Sequence, residues 1–300
     1  MNNSIFITGS SGFVGSNLVP FLKLKKIGDV VSLSLREPVT LDSGQAIIHL
    51  AGKAHDLKNS SNPQEYFDVN FGKTKELFDL FVKSDIRDFI YFSSVKSVAD
   101  SVKGVLTEEI VPTPLTTYGQ SKQEAESYLS GNKLPLGKRL FIIRPCMIHG
   151  PGNKGNLNLL YKIVKKGIPY PLGGFENRRS FLSIQNLNYI IEKILADQNI
   201  SGGIYNIADD EPLSTNEVIE IMAEANGSKA KLWRINSRII ETIAAIGDRL
   251  HLPLNSERLK KLTESYVVSN NKIKHALKIE NLPISSREGL LTTIRSFRSS

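Results

Sequence analysis

The first half of the chain alternates short apolar runs with amphipathic stretches. Five of the apolar runs are short and rich in β-branched and aromatic side chains, which is typical of strands buried on both faces. The stretches Phe67–Lys83 and Ser121–Leu129 carry apolar residues at helical spacing. This alternation predicts an α/β fold with a doubly wound parallel sheet. The predicted strands are Ser4–Thr8, Val30–Leu35, Ala46–Leu50, Phe89–Phe92 and Leu140–Ile143.

One interval between predicted strands is too short for a complete unit. Only ten residues separate Arg36 from Ile47. A helix, a strand and a second helix need more chain than this. We therefore expect a reduced sheet edge on this side.

After Arg144 the pattern changes to loops rich in glycine and proline. One more helix–strand pair follows, Ile184–Ala196 and Gly203–Ile207, which we expect to rejoin the sheet. Further on, Ser214 with Glu217 three residues later predicts a capping box at a helix start. The predicted organisation is a sheet domain of residues 1–146 and 180–208, with a smaller C-terminal lobe of residues 147–179 and 209–300.

The composition is that of a folded globular chain, because 40% of the residues are hydrophobic and 23% are charged. No run of about 18 apolar residues is present, so no membrane span is predicted. Met1–Leu22 lacks a basic segment ahead of an apolar one, so no signal peptide is predicted either. We expect a cytoplasmic protein with no membrane partner. The single Cys146 cannot form an internal disulfide, and no metal site is predicted.

The net charge of +8 comes entirely from the C-terminal part of the chain. Residues 229–300 contain 14 Lys/Arg and 6 Asp/Glu. These charges are spread singly, without interleaved aromatic residues, unlike a nucleic-acid footprint. An anion-facing lobe or a solvated helix face is the simpler interpretation, and no nucleic-acid partner is predicted.

A glycine-rich turn directly follows the first predicted strand. In Thr8–Gly15, Gly9 would permit a tight turn, Gly12 would let backbone N–H groups approach a pyrophosphate, and Gly15 would allow close helix–strand packing. Strand, turn and helix together predict a dinucleotide site, although an ordinary glycine-rich turn is the alternative. After the second strand, Ser34 stands where an acid would select NAD, and Arg36 follows it. The choice between NAD and NADP therefore stays open.

Tyr118 and Lys122 are four residues apart, which places both side chains on one face of a helix. A neighbouring cation favours the phenolate, so Lys122 is expected to lower the Tyr118 pKa toward the working range of a base. Ser94 follows the strand Phe89–Phe92 at its carboxyl end, where open α/β sheets bind ligands. Its hydroxyl could share a substrate oxygen with Tyr118. The simpler alternatives are an exposed helical pair and an ordinary turn serine.

In this order, the glycine turn, the strand-end serine and the Tyr-x-x-x-Lys pair resemble the extended short-chain dehydrogenase/reductase family. Within it, the closest resemblance is to the NAD-dependent nucleotide-sugar epimerases and dehydratases, and it covers nearly the whole chain. The matching segments are Thr8–Gly15 (TGxxGxxG), His49–Gly52 (HxAG), Asp68–Asn70 (DxN) and Arg144–Gly152 (RPxxxxGPG).

The resemblance implies a Rossmann-type fold that binds NAD or NADP and takes a nucleotide sugar as substrate. It places Ser94, Tyr118 and Lys122 on the catalytic triad. The expected dinucleotide-binding residues are Gly9, Ser11, Gly12, Phe13, Val14, Gly15, Arg36, Leu50, Ala51, Gly52, Asn70, Ser93, Tyr118, Lys122 and Pro145. The expected substrate-binding residues are Ser94, Met147, Asn156, Arg179 and Arg258.

The expected function is that of a 4-epimerase for a UDP-hexose or UDP-N-acetylhexosamine, acting through a 4-keto intermediate by reversible hydride transfer. The alternative is an NADPH-dependent reductase of a UDP-4-keto-6-deoxyhexosamine in surface polysaccharide synthesis. A non-catalytic nucleotide sensor is a third hypothesis, against which the three catalytic residues argue. Met147 and His149 depart from the residues of many relatives, so the sugar is not predicted. Homodimers are common among the relatives, and a homodimer stays open here.

Four further features have simpler interpretations than a functional site. Cys146 is expected to line a pocket as a small apolar residue. Trp233 is expected to anchor the core or a loop. Asp209–Glu211 is expected to be a solvated turn, and His55 a polar loop residue rather than a ligand contact.

Overall fold

The computed structural model describes residues 3–53, 62–153, 155–250 and 255–297. The strands of the main sheet are β1 Ser4–Thr8, β2 Asp29–Leu33, β3 Ser43–His49, β4 Asp85–Phe92, β6 Arg139–Pro145 and β9 Gly203–Ile207. They are parallel and lie in the order β2-β1-β3-β4-β6-β9. The short strands β5 Val105–Leu106 and β10 Val267–Val268 pair with each other, as do β7 Met147–His149 and β8 Phe181–Ser183. The doubly wound Rossmann-type sheet is confirmed.

The described helices follow the strands in alternation and then dominate the C-terminal part. They are α1 Phe13–Leu24, α2 Pro63–Phe67, α3 Lys73–Lys83, α4 Thr117–Gly131, α5 Asn156–Lys165, α6 Ile184–Ala196, α7 Thr215–Ala225, α8 Ser237–Leu250, α9 Ser256–Thr263, α10 Asn271–Leu277 and α11 Ser286–Ser296. A π-helical turn, Asp68–Gly72, joins α2 to α3, and a 3-10 turn, Val95–Ser97, follows β4.

The reduced sheet edge is confirmed. β2 pairs with β1 along its whole length and is the edge strand of the sheet. Residues 34–42, which connect β2 to β3, contain neither a helix nor a strand. The sheet therefore ends one strand beyond β1, and the segment carrying Ser34 and Arg36 lies at this edge.

The sheet is buried on both faces because its strands alternate their apolar side chains between two cores. In β4, Phe89 and Tyr91 join the core under α3 and α4, whereas Ile90 and Phe92 join the core under α1 and α6. This double burial explains why the strands are uninterrupted apolar runs.

The predicted helix–strand pair rejoins the sheet, since β9 pairs with β6 at the edge opposite β2. Beyond β9, α7 begins with the predicted capping box of Ser214 and Glu217. α5, α7 and α11 share one hydrophobic cluster, and α8 and α9 share a smaller one.

Asp88 is a fully buried charge that joins β4 to β6. Its carboxylate accepts hydrogen bonds from Arg139 Nε and Nη2 at 2.7 and 2.8 Å, and from Arg87 Nη2 at 2.9 Å. We expect Asp88→Asn to lower the free energy of unfolding by about 3 kcal/mol, because it leaves the Arg139 cation without its counter-ion. Urea denaturation measures this. Glu76→Gln breaks an exposed ion pair with Lys73 and should lower the free energy of unfolding by less than about 1 kcal/mol. Equal losses from the two substitutions would contradict a stabilising role for the buried Asp88–Arg139 pair.

Candidate active site

The glycine turn presses the start of α1 against the end of β3. Gly9 has a φ of +68°, and a Cβ on it would lie 2.7 Å from the Ala51 backbone nitrogen. A Cβ on Gly15 would lie 2.4 Å from the Gly9 carbonyl oxygen and 2.6 Å from Ser10 Cα. These neighbours are backbone atoms that cannot move aside. The predicted backbone roles of Gly9 and Gly15 are therefore confirmed.

The N-terminus of α1 is left open to an anion. Its N-cap is the exposed Gly12, which offers no capping side chain, and the first turn contains no acidic residue. The unpaired N–H groups and the positive end of the helix dipole together suit a phosphate group. Asn17 in the same helix donates to the carbonyls of Phe13 at 2.8 Å and Pro151 at 3.5 Å. The turn that contains Pro151 therefore lies beside the start of α1.

His49 ties the glycine turn to α3 through a buried hydrogen-bonded chain. Thr8 Oγ1 accepts from the Ala51 N–H at 3.1 Å and lies 2.6 Å from His49 Nδ1. Thr74 Oγ1 donates to the Asn70 carbonyl at 2.7 Å and lies 2.9 Å from His49 Nε2. The chain closes only if Thr8 donates to Nδ1 and Nε2–H donates to Thr74, which fixes a neutral imidazole. Burial, helped by the Lys122 charge, lowers the pKa of His49 to about 3.

This neutral histidine makes stability depend on pH. The His49 pKa is about 3 in the folded chain and about 6.5 when unfolded, so its contribution is complete above pH 6.5 and is lost as the pH falls from 6.5 towards 3. Between pH 7 and pH 5, we expect the wild type to lose about 2 kcal/mol more of its unfolding free energy than His49→Gln. Urea denaturation at the two pH values measures this. Equal losses would show that His49 is protonated without penalty.

Asn70 braces the segment after β3 against α4. Its Oδ1 accepts from the Lys53 N–H at 2.7 Å, and its Nδ2 donates to the Lys53 carbonyl at 3.1 Å and to Ser121 Oγ at 3.0 Å. A Cβ on Gly52 would lie 3.0 Å from Asn70 Oδ1 and 3.2 Å from Lys122 Nζ. Asn70 therefore places the Ala51–Lys53 backbone beside Lys122.

Ser94 and Tyr118 lie near each other at the carboxyl end of β4, close enough for the Ser94 hydroxyl to favour the Tyr118 phenolate. Ser94 begins the 3-10 turn and also accepts from the Lys96 N–H at 3.2 Å. Tyr118 stands in the first turn of α4, which Thr116 caps. The predicted effect of Lys122 on the phenol is wrong for this state of the protein. Burial raises the pKa of Tyr118, and the Ser94 hydroxyl opposes that rise.

Lys122 is buried one helical turn after Tyr118, and its ammonium is engaged elsewhere. Nζ donates to the Phe92 carbonyl at 2.9 Å and lies 4.9 Å from the centre of the Tyr91 ring. Burial lowers the pKa of Lys122 to about 8, partly offset by the Glu126 charge. Because its ammonium is held by the Phe92 carbonyl and the Tyr91 ring, Lys122 does not dominate the pKa of Tyr118. One ammonium thus ties α4 to the end of β4.

A buried ion pair that the sequence analysis missed lies behind the triad. Arg144 Nε donates to the two oxygens of Glu126 at 3.1 and 3.0 Å. The same carboxylate accepts hydrogen bonds from the hydroxyls of Ser93 and Ser97. The Ser93 side chain is therefore committed to Glu126, and only its backbone is left for a cofactor. Glu126 lies four residues after Lys122 on α4, a helical spacing that could have signalled it.

Lys96 and Arg179 form a second cationic group near Ser94, and the sequence analysis missed Lys96. Lys96 Nζ donates to the Asp100 carbonyl at 2.8 Å and lies 4.4 Å from the Tyr266 ring centre. Burial lowers the pKa of both cations. The charges of Asp100 and Glu264 oppose this for Lys96, whereas the charge of Arg179 adds to it, and Glu264 also opposes it for Arg179. Arg179 Nε donates to the Glu264 carbonyl at 3.1 Å. Two partly desolvated cations close together can take an anionic ligand, although two carboxylates already compensate part of their charge.

The remaining predicted residues are less closely gathered. Pro145 ends β6 and is buried, and Met147 begins β7 half-exposed. Asn156 is the exposed first residue of α5, and Arg258 is exposed on α9. Arg36 is exposed after β2 and lines a cleft of about 310 Å³ together with Glu37, Lys73 and Glu76. That cleft contains both signs of charge, and the structure does not bring Arg36 to the triad.

The expectation for Asp209 is wrong, because this residue is buried rather than solvated. Its carboxylate accepts the Ser183 N–H at 3.0 and 2.9 Å and Asn186 Nδ2 at 2.7 Å, and it caps the junction of β8 and α6. Trp233 is half-exposed, so the core role is wrong as well. Cys146 is buried as expected, and burial raises the pKa of its thiol. His55 lies outside the described residues.

Among the residues that the structure describes, no cluster of acidic, histidine and cysteine side chains could hold a metal ion. No helix in the same ranges has both the length and the apolar character needed to cross a bilayer. The candidate site therefore consists of the glycine turn, the Ser94–Tyr118–Lys122 group and the Lys96–Arg179 pair.

The profile of the 3-beta hydroxysteroid dehydrogenase/isomerase family matches residues 27–236. The chain is 32% identical over 251 residues to a UDP-glucose 4-epimerase of Vibrio cholerae, covering 75% of this chain and 76% of that protein. It is 28% identical over 255 residues to the N-acetyl-alpha-D-glucosaminyl-diphospho-ditrans,octacis-undecaprenol 4-epimerase of Escherichia coli O157:H7, covering 76% and 74%. It is 26% identical over 245 residues to a GDP-6-deoxy-D-mannose reductase of Pseudomonas aeruginosa, covering 75% and 80%.

Solved structures share the whole fold at low sequence identity. RMD from Pseudomonas aeruginosa complexed with NADPH superposes with a TM-score of 0.72 at 20% identity, covering 99% of this chain and 100% of that one. MoeE5 in complex with UDP-glucuronic acid and NAD superposes with a TM-score of 0.76 at 20% identity, covering 99% of each chain. The Rossmann-type architecture is thus shared from end to end.

Proposed function

The chain belongs to the 3-beta hydroxysteroid dehydrogenase/isomerase and NAD-dependent epimerase/dehydratase family of extended short-chain dehydrogenases/reductases, and on that premise we propose that it is a nucleotide-sugar 4-epimerase. The proposed substrate is a UDP-hexose or UDP-N-acetylhexosamine. The observation that carries the proposal is the placement of Ser94 and Tyr118 together at the carboxyl end of β4, one helical turn ahead of the buried Lys122.

In this proposal, Tyr118 is the acid and base of the reaction. Its phenolate oxygen takes the proton of the sugar 4-hydroxyl and later returns it. Ser94 has a single hydroxyl proton. Directed at the phenol oxygen, it favours the phenolate; once the phenol is protonated, it can be donated to the oxygen at C4 instead. Lys122 positions α4 through the Phe92 carbonyl and supplies an ammonium beside Gly52.

The glycine turn suits a dinucleotide because Gly9 and Gly15 are packed too tightly to carry side chains. Its bare backbone can therefore approach a pyrophosphate closely. The pyrophosphate would be held by the N-terminus of α1 and by the turn of Gly9, Gly12 and Gly15. The backbone of Ala51 and Gly52 would lie beside the rest of the dinucleotide. A nicotinamide bound in its oxidised form would supply the acceptor for the hydride of C4, and its positive charge would favour the Tyr118 phenolate. Lys96 and Arg179, both partly desolvated, are the proposed contacts of the sugar's diphosphate.

The reductase is kept as a second candidate because of Arg36. This exposed arginine follows β2 at the reduced sheet edge, with no acid at Ser34. An arginine at this place can accommodate the 2′-phosphate of NADP. A reductase would use the same Ser94, Tyr118 and Lys122 in one direction and would consume NADPH. The mixed charges beside Arg36 favour the epimerase, which needs no such contact.

Identifying the dinucleotide that leaves the purified protein on denaturation separates these candidates. We expect about one NAD per chain, because an epimerase regenerates its cofactor in each cycle and has no need to release it. The same preparation is then offered UDP-glucose, UDP-N-acetylglucosamine and a polyprenyl-diphosphate N-acetylglucosamine without added cofactor. A chain that is purified empty and reduces a 4-keto sugar with NADPH is the reductase. A chain that turns over none of these substrates would contradict both.

A further inference from the structure

α8 presents an apolar stripe to solvent in addition to the one it buries. Ile240 and Ala244 are buried in the cluster shared with α9. Ile239, Ile243 and Ile246 are 54%, 46% and 49% exposed. Their spacing of four and three residues puts them on one face of the helix. A face with three half-exposed isoleucines is apolar surface that the fold leaves uncovered.

The charges of α8 are sorted around this stripe. At about 100° of rotation per residue, Arg238 and Arg249 project roughly a quarter-turn from the stripe on the side away from Ile240. Glu241 and Asp248 project roughly half a turn away, and Asp248 is occupied in accepting from Ser256 at 3.0 and 2.6 Å. The uncovered apolar face is therefore bordered by cations and has its acids behind it.

The segments around α8 are also rich in positive charge and also expose apolar side chains. Residues 229–262 contain eight Lys/Arg and three Asp/Glu, and the basic side chains in this part that the structure describes are exposed. Trp233 is 58% exposed and Leu262 on α9 is 50% exposed. Trp233 stands two residues before Ile235, which packs on the cluster that supports α8. We define the α8 surface as the three exposed isoleucines together with Arg238 and Arg249; Trp233 and Leu262 are exposed apolar side chains on the segments that precede and follow α8.

We propose that the α8 surface docks on an anionic lipid bilayer. Half-exposed isoleucines and a tryptophan, bordered by arginines, match an interface that is apolar inside and negatively charged outside. A second copy of the chain fits less well, because both copies would bring the same excess of positive charge to the contact. The docking is peripheral, so it differs from the sequence-based expectation of no membrane partner, which rested on the lack of a spanning segment.

The surface is connected through α9 to Arg179, a proposed contact of the sugar's diphosphate. Arg179 donates to the carbonyl of Glu264, the residue that follows α9, and Leu259 of α9 packs on Ile240 and Ala244 of α8. Docking would therefore hold the proposed diphosphate contact close to the bilayer. The proposal itself stands on the surface alone and does not depend on which sugar is turned over.

The single tryptophan of the chain makes a direct test available on the full wild-type protein. Vesicles of phosphatidylcholine with phosphatidylglycerol are titrated into the protein, and its fluorescence and its flotation with the vesicles are recorded. We expect the Trp233 emission to move to shorter wavelength and the protein to float with the anionic vesicles, less so at high salt. Pure phosphatidylcholine should bind far less.

Two sets of variants locate the contact. The triple variant Ile239→Ser, Ile243→Ser, Ile246→Ser should lower the partition coefficient at least about tenfold, because three apolar side chains are lost. Arg238→Gln with Arg249→Gln should lower it roughly 25-fold. The matched control is Leu24→Ser, Val111→Ser, Leu136→Ser, which removes three exposed apolar side chains elsewhere and should bind as the wild type.

Each other outcome overturns the proposal. Wild-type protein that stays off vesicles of every composition contradicts it. So does equal weakening by the α8 triple variant and the control, which would indicate a general loss of apolar surface. If the wild type sediments as an oligomer, the α8 triple variant sediments as a monomer and neither binds vesicles, the surface is an interface between copies instead. Sugar turnover is assayed in parallel, so failure of docking and failure of the proposed function are distinguishable.

Discussion

Tyr118→Phe should lose turnover by roughly 10³-fold, the middle of the range that a positioned acid–base group contributes. The substitution removes one oxygen, which is the atom that Ser94 contacts and that would exchange a proton with the sugar. Dinucleotide affinity should change by less than about threefold, because the phenol contributes little to holding the pyrophosphate. Steady-state turnover of a UDP-sugar and calorimetric binding of NAD measure the two effects.

The control lies on the same helix. Tyr128 in α4 donates its hydroxyl to Asp79 at 2.6 Å, outside the candidate site. Tyr128→Phe should keep turnover within about twofold of the wild type, since it removes the same atom from a position without a catalytic role. A Tyr118→Phe variant that retains more than about a tenth of wild-type turnover would exclude the phenol as acid and base.

Gly15→Ala should weaken dinucleotide binding by up to about a hundredfold. The added Cβ would lie 2.4 Å from the Gly9 oxygen and 2.6 Å from Ser10 Cα, so the turn that precedes α1 must move. Overpacking of this kind costs about 1–3 kcal/mol, and about 1.4 kcal/mol corresponds to tenfold in affinity. Because the displaced backbone is the part that would hold the pyrophosphate, we expect the loss mainly in NAD affinity. Isothermal calorimetry measures it.

Gly131→Ala is the matched substitution. A Cβ on Gly131, at the end of α4, meets no atom within 4 Å, so NAD affinity should stay at the wild-type value. Binding of NAD to the Gly15→Ala variant at full strength would show that the turn is an ordinary connection between β1 and α1. That result would show that NAD is held away from this turn.

The sheet was predictable from sequence because each strand is buried on both faces. Double burial turns a strand into an uninterrupted apolar run, as in Phe89–Phe92, and such runs stand out against amphipathic helices. The reduced edge was predictable for an even simpler reason, since ten residues between Arg36 and Ile47 cannot contain a full unit. Chain length and burial are local properties that a sequence displays directly.

Parts of the site could not be predicted because they depend on contacts across the fold. Spacing places Glu126 on the same face of α4 as Lys122, but its partner Arg144 is visible only in the fold, where β6 lies against α4. Lys96 is visible only where Arg179 approaches the 3-10 turn. Asp209 looks like a solvated acid beside Asp210 and Glu211, yet three groups around β8 and α6 bury it. Local composition does not reveal contacts between residues that are far apart in the sequence.

The pKa of Tyr118 shows the same limit within one helix. Spacing placed Lys122 on the correct face, and the lysine does lie one turn away. Spacing did not show that the ammonium bonds the Phe92 carbonyl and lies over the Tyr91 ring. Burial therefore decides the pKa of the phenol, and it raises that pKa.

The most direct test of the central claim is to incubate the purified protein, without added cofactor, with a UDP-hexose carrying deuterium at C4. Nuclear magnetic resonance and mass spectrometry then report the products. The account predicts that the 4-epimer forms until equilibrium and that the deuterium stays at C4, because one bound nicotinamide takes it and returns it. Absence of the epimer, or an epimer whose C4 carries hydrogen from solvent, would contradict reversible hydride transfer in this site.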